Sequence, residues 1–187
     1  MPAKHRREIM LPAEIVKKHR RDFGETFDSE GTQVLFALRS LARRINEASN
    51  DWLAPFGLTA LKLSYLAALH ATSDRDMTPN ELSALTHSSY ASVTQTVDAL
   101  ERAGLVKRQA HHEDRRSTIV KLTPAGAKLF VEAFTLHHRY IASIASALSR
   151  SDRKTFLQGL QKLNDVLDNL PKPAVPSSPA PRRKKRS

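Results

Sequence analysis

Apolar residues recur along the chain at helical spacing, in stretches separated by short polar breaks. In the stretch 31–54, Val34, Leu38, Leu41, Ile45, Ala48 and Trp52 fall at i, i+4, i+7, i+11, i+14 and i+18. That is one stripe along a single long helix, with Arg39, Arg43, Arg44 and Glu47 on the other side. Pro55 and Gly57 stop it. Thr59 is placed to cap the next helix, which runs to Ala71. Its Leu61, Leu63, Leu66 and Leu69 predict burial on more than one side. Thr78-Pro79-Asn80-Glu81 opens a third helix: Thr78 caps free amides, Glu81 reaches back, and Pro79 sits where its missing N–H costs nothing. His87-Ser88-Ser89 breaks that helix, and Ser88 or Ser89 caps another in which Val93, Val97 and Leu100 share a buried face. Gly104 ends it, as expected where the chain turns left-handed.

Two short strands follow, Leu105 to Gln109 and Thr118 to Leu122. Thr123-Pro124 then repeats the cap-then-proline start and opens a long helix marked by Leu129, Phe130, Ala133, Phe134, His137, Ile141, Ile144 and Leu148. After a break at Ser149 to Asp152, a last helix to Leu170 carries Phe156, Leu160, Leu163, Leu167 and Leu170. Near the start, residues 12–23 form a further short helix by pattern. The predicted class is mainly α with one small β-hairpin.

The helix after the polar break has a face suited to chemistry. Opposite its buried edge it offers Ser88, Ser89, Tyr90, Ser92, Thr94 and Gln95. Small hydroxyl and amide side chains let a backbone approach closely and exchange hydrogen bonds with base edges in a DNA major groove. An ordinary surface helix has the same pattern. The segment between the strands, Ala110 to Ser117, is long and polar enough to project as a wing. Its Arg115 and Arg116 suit a DNA minor groove, and Asp114 makes sense there if it pairs with Arg116 and directs the guanidinium. The plain alternative is a solvated charged turn.

In the helix-turn-helix, in the run Val97-Asp98-Ala99-Leu100-Glu101-Arg102-Ala103-Gly104-Leu105-Val106, and in the wing Asp114-Arg115-Arg116-Ser117 leading to Val120-Lys121-Leu122-Thr123, the chain resembles the MarR family of bacterial transcription regulators. The family's D-x-R wing motif falls on Asp114 and Arg116, and its L-T-x-x-G continuation on Leu122, Thr123 and Gly126. The likeness is sharp over 78–122 and looser over 32–170, and it does not cover the two ends. It implies a winged helix-turn-helix domain at about 58–122 and dimerisation helices at about 31–54 and 123–170. It also implies an obligate homodimer on a pseudo-palindromic double-stranded operator. The apolar stripes point the same way, being more than one small winged domain can cover. Half-sites one helical turn apart then need recognition helices about 34 Å apart. The resemblance further implies a crevice for a small aromatic or phenolic ligand, for which Trp52 and Tyr65 are candidates and Arg39 a more distant one. Read without it, Trp52 and Tyr65 are core residues.

Composition narrows the classes. A net charge of +11 and a pI near 10.3 favour a polyanionic partner. With no cysteine, disulfides, thiolate metal sites and cysteine-based peroxide sensing are excluded. No apolar run reaches membrane-spanning length, and the first residues lack the apolar segment of a signal peptide, so a cytoplasmic protein is expected. The extension 1–30, with basic clusters at 4–7 and 17–21, suits an added helix packed on a dimer or, less well, a helix lying on a membrane. Residues 171–187 are a Pro/Ala/Ser stretch ending in Arg182-Arg183-Lys184-Lys185-Arg186, suited to phosphate affinity or to solubility alone. His111-His112 and His137-His138 are adjacent pairs without a carboxylate cluster, so no metal is expected, and His137 reads as a core or interface residue with a satisfied hydrogen bond. Without a nucleophile elbow, P-loop or dinucleotide fingerprint, neither an enzyme nor a cofactor is expected. The expectation is a ligand-released dimeric repressor. The alternatives are a non-specific, charge-driven DNA-compacting protein and a protein-binding adaptor on the same fold.

Overall fold

The computed structural model describes residues 9–73, 77–110 and 118–171. They form α1 (Ala13–Phe23), α2 (Ser29–Leu53), α3 (Ala60–Ala71), α4 (Pro79–Thr86), α5 (Tyr90–Arg102), β1 (Val106–Ala110), β2 (Thr118–Leu122), α6 (Pro124–Ala145) and α7 (Arg150–Asn169). The chain divides into one unit ending at Ile141 and a second beginning at Ala142.

Local chemistry sets the helix starts. Asp28 accepts from the amides of Glu30 and Gly31 and begins α2, earlier than the apolar stripe alone indicates. Thr59 accepts from the Lys62 amide to begin α3. At α4 the reciprocal cap is complete: the Thr78 hydroxyl accepts from the Glu81 amide, and the Glu81 carboxylate accepts from the Thr78 amide at 2.7 Å. The turn into α5 passes through His87 at φ 49, a left-handed non-glycine. Ser83 stitches that turn, its hydroxyl donating to the Ser88 carbonyl at 2.6 Å.

The core of the first unit joins α3, α4 and α5 to the hairpin. Tyr65, Leu66, Leu82, Val93, Val97, Leu100, Val106 and Val120 lie within it, all fully or almost fully buried. Each such aliphatic side chain contributes roughly 1.5–3 kcal/mol, against about 1 kcal/mol for a cap, so packing holds α5 in place and the caps set where it begins. The hairpin is antiparallel, with Val106 opposite Leu122 and Ala110 opposite Thr118. β1 begins one residue later than the sequence pattern indicates. Met77 adds a single bridge to Val120, whose amide donates to the Met77 carbonyl at 2.8 Å. α1 is tied to α2 by Gln33, whose side-chain amide accepts from the Leu11 amide and donates to the Leu11 carbonyl.

The long helices are covered less than their stripes predict. In α2 only Ser49 and Leu53 are buried, while Val34 and Leu35 are more than half exposed. The long helix and the last helix expected over 123–170 correspond to α6 and α7, and the break between them spans 146–149 rather than Ser149 to Asp152. In the second unit, α7 opens on a Ser149–Asp152 reciprocal cap, buries no residue, and exposes Leu157, Val166, Leu167 and Leu170.

Candidate nucleic-acid interface

The face of α5 opposite Val93, Val97 and Leu100 is open, and it sorts the six expected contact residues. Tyr90 is 58% exposed. Thr94 and Gln95 are exposed as well, with the Thr94 hydroxyl donating back to the Tyr90 carbonyl at 3.1 Å. Ser89 is the cap, its hydroxyl accepting from the Ser92 amide at 3.2 Å. Ser92 is half-buried. Ser88 works within the turn: its carbonyl accepts from Ser83, and its hydroxyl donates to the Thr86 carbonyl. The helix therefore presents Tyr90, Thr94 and Gln95 outward, while Ser88 and Ser89 shape the N-terminal end from which they project.

A feature that the sequence pattern missed joins α5 to the hairpin. Arg108 on β1 reaches back to two carboxylates on α5, Asp98 at 2.5 Å and Glu101 at 2.6 Å. The Arg108 amide also donates to Glu101 at 2.8 Å. These bonds, the backbone one first and the guanidinium second, hold the Glu101 carboxyl below its ordinary pKa. The clamp is one-third exposed or less at the arginine and more open at the acids, so it orients more than it stabilises. Its signal in the sequence was an arginine seven residues beyond a helical glutamate, which no periodicity picks out.

Asp114, Arg115 and Arg116, and with them His111 and His112, lie outside the described residues. The strand register brings Ala110 and Thr118, the residues flanking that segment, opposite each other. Lys107 and Gln109 alternate on the exposed side of β1.

The candidate ligand residues do not converge. Tyr65 is wholly buried in the core, with its hydroxyl unpartnered. Arg39 is exposed and lines an open groove of about 630 Å³ with Thr32, Leu35, Phe36, Ser40 and Arg43 on α2. Thirteen residues of helix, roughly 20 Å, separate Arg39 from Trp52. Trp52 instead sits among aromatic rings: Tyr140 stacked at 5.8 Å, His137 edge-on at 6.3 Å and Phe56 stacked at 6.4 Å. The hydrogen bond expected of His137 is missing. Its Nε2 is buried without a partner, and burial, helped by His138, lowers its pKa. Among the described residues, no three metal-ligating side chains are grouped to hold an ion, and no single helix is long and apolar enough to cross a membrane.

Comparison with known proteins accounts for this arrangement. The family model described as "MarR family" matches residues 56–117, which run from just before α3 past β1 and stop short of β2. The HTH-type transcriptional repressor YetL of Bacillus subtilis is 26% identical over 156 residues, covering 82% of this chain and 92% of that protein. The transcriptional repressor MprA of Escherichia coli K12 is 26% identical over 164 residues, covering 88% and 93%. Among solved structures, the S. aureus MepR–DNA complex shares the fold with a TM-score of 0.67 at 21% identity, over 71% of this chain and 96% of that one.

Proposed function

The chain belongs to the MarR family of winged helix-turn-helix transcriptional regulators, and on that premise we propose that it acts as a homodimeric repressor on a pseudo-palindromic operator. One observation carries the reading. α5 is anchored by Val93, Val97 and Leu100 and shows Tyr90, Thr94 and Gln95 to solvent, beside a hairpin held to it by Arg108. Thr94 and Gln95 read base edges, Tyr90 and Ser89 meet the sugar-phosphate backbone at the helix N-terminus, and Arg116, steered by Asp114 and helped by Arg115, enters the minor groove. The fold neighbour from S. aureus was captured on DNA, and both curated relatives are named repressors.

The exposed apolar faces of α2, of α6 and of α7 are each covered by a second copy in the dimer. The protein works in the cytoplasm, where operator DNA is found. Release follows when a small aromatic ligand favours a dimer whose recognition helices are misspaced. Of the three residues first considered for that ligand, Trp52 alone keeps partly open aromatic surroundings, and Tyr65 and Arg39 drop to core and groove roles.

The test is a competition assay by fluorescence anisotropy with purified dimer. A regulator holds one palindrome about a thousand-fold or more tighter than bulk DNA. Arg116→Ala weakens operator binding by about fivefold to a hundredfold, a loss of about 1–3 kcal/mol for one specific contact. Equal grip on every fragment with the wing arginine absent would establish the non-specific, charge-driven alternative. Unchanged activity of Arg116→Ala would point to a protein-binding role.

A further inference from the structure

At the far end of α5 from the DNA-reading residues, one hydroxyl joins two helices. Thr123 donates to the Gly104 carbonyl at 2.7 Å and shares the Leu105 carbonyl at 3.1 Å. Its amide also donates to the Leu105 carbonyl, at 3.0 Å. Gly104 and Leu105 are the turn that closes α5: Gly104 sits at φ +71, and the Leu105 amide returns to the Leu100 carbonyl. On its other side the same Thr123 oxygen accepts from the Gly126 amide at 3.0 Å, which caps the start of α6. Gly126 is buried against this turn so closely that a Cβ there would meet the Leu105 carbonyl oxygen at 2.0 Å. Hydrogen bonds and a close backbone approach thus make the exit of α5 and the entry of α6 one rigid joint.

The inference rests on the reading of α6 as part of a dimer and of α5 as the recognition helix. We propose that Thr123, with Gly126, is a spacing-determining residue: it fixes the angle between α6 and α5, and hence the distance between the two half-sites that the dimer accepts. Leverage makes a small looseness visible. α5 has 13 residues, so its reading end lies about 20 Å from the joint. A swing of about 10° there moves that end by roughly 3.4 Å, one base-pair step.

The experiment measures affinity for a set of operators that differ only in half-site spacing, at the native separation and one base pair shorter or longer. Wild-type protein is expected to lose tenfold or more on either change. Thr123→Val removes the proton that bridges to the α5 turn, and its penalty is expected to shrink to threefold or less. Thr123→Ser restores the wild-type ratio. Thr123→Asp provides a second route, since it still accepts from Gly126 but has no proton to give to Gly104 or Leu105, and it behaves as Thr123→Val does. Thr59→Val removes a comparable cap on α3, and it keeps the wild-type spacing ratio despite its lower stability. If Thr123→Val and Thr123→Asp keep the wild-type ratio while the wild type remains a spacing-sensitive dimer, the joint does not set spacing and only this inference falls. If the wild type itself is indifferent to spacing, the palindromic-dimer reading falls and takes this inference with it.

Discussion

Arg108→Met is the sharpest probe of how the hairpin is held to the recognition helix. Methionine keeps the aliphatic stem and removes the guanidinium, so the change isolates the two ion pairs at 2.5 and 2.6 Å. Arg108 is 28% exposed, but Asp98 and Glu101 are 49% and 38% exposed, so solvent screens both pairs and each is worth about 0.5–1 kcal/mol rather than the larger figure for buried charges. Removal also leaves two carboxylates one turn apart on α5, repelling by a few tenths of a kcal/mol. The expected loss is about 1–2 kcal/mol near neutral pH, or roughly 3–6 °C in Tm for a chain of this size. Its pH dependence carries the signature. The folded-state pKa of Glu101 is lowered from its ordinary 4.5, so the pair's contribution is complete above that value and is lost as pH falls through the lower folded value. Urea unfolding of wild type and variant, at one fixed protein concentration, should give a stability gap at pH 7 that narrows as pH falls below 4.5, the ordinary glutamate value. In a Glu101→Gln background the gap should already be smaller. A gap that stays the same from neutral to acid pH would refute the clamp as an electrostatic device. Absence of any gap at pH 7 would refute it altogether.

Three further outcomes follow from buried or charged groups. Tyr65→Phe removes an unpartnered, fully buried hydroxyl, so thermal unfolding should show a gain of about 1 kcal/mol with operator affinity unchanged; a loss of stability would reveal a partner for that hydroxyl in the assembled protein. Burial lowers the pKa of His137 from its ordinary 6.5, so the unfolded chain takes up the proton first and stability falls as pH drops below that value; His137→Gln should flatten this part of the profile in chemical denaturation. Truncation after Leu170 removes Lys172 and the five terminal cations, and should reduce the slope of log affinity against log salt by up to about five while operator preference persists; an unchanged slope would assign the tail to solubility.

Legibility in the sequence tracked the distance over which each cause acts. Caps and breaks were readable because Thr78–Glu81 and Ser89–Ser92 act within one turn, and Gly104 needs only its own backbone to end α5. The burial of Val93, Val97 and Leu100 was readable because helical period and packing face coincide. The Met77–Val120 bridge was not, since a single bridged residue has no period to detect. Nor was the Arg108 clamp, which depends on a strand folding back over a helix. Trp52 and Tyr65, with Arg39 more distant, are grouped by the family resemblance and not by any period in the sequence; read without it the two aromatics are core residues, and helical rise alone puts Arg39 roughly 20 Å from Trp52. The α2 stripe differs again: its period was correct, but among the described residues Leu38, Leu41, Ile45, Ala48 and Trp52 are only half-buried and Val34 stays exposed, because helical period reports which face is apolar and not how far it is covered. The Thr123–Gly126 joint falls between these cases. The motif is local and visible, but its reason is the Leu105 carbonyl 2.0 Å from where a Cβ would sit, and that atom lies about twenty residues away. A short motif set where one helix hands over to another therefore calls for a geometric cause first, and here that cause is the close approach of the turn that ends α5 to the start of α6.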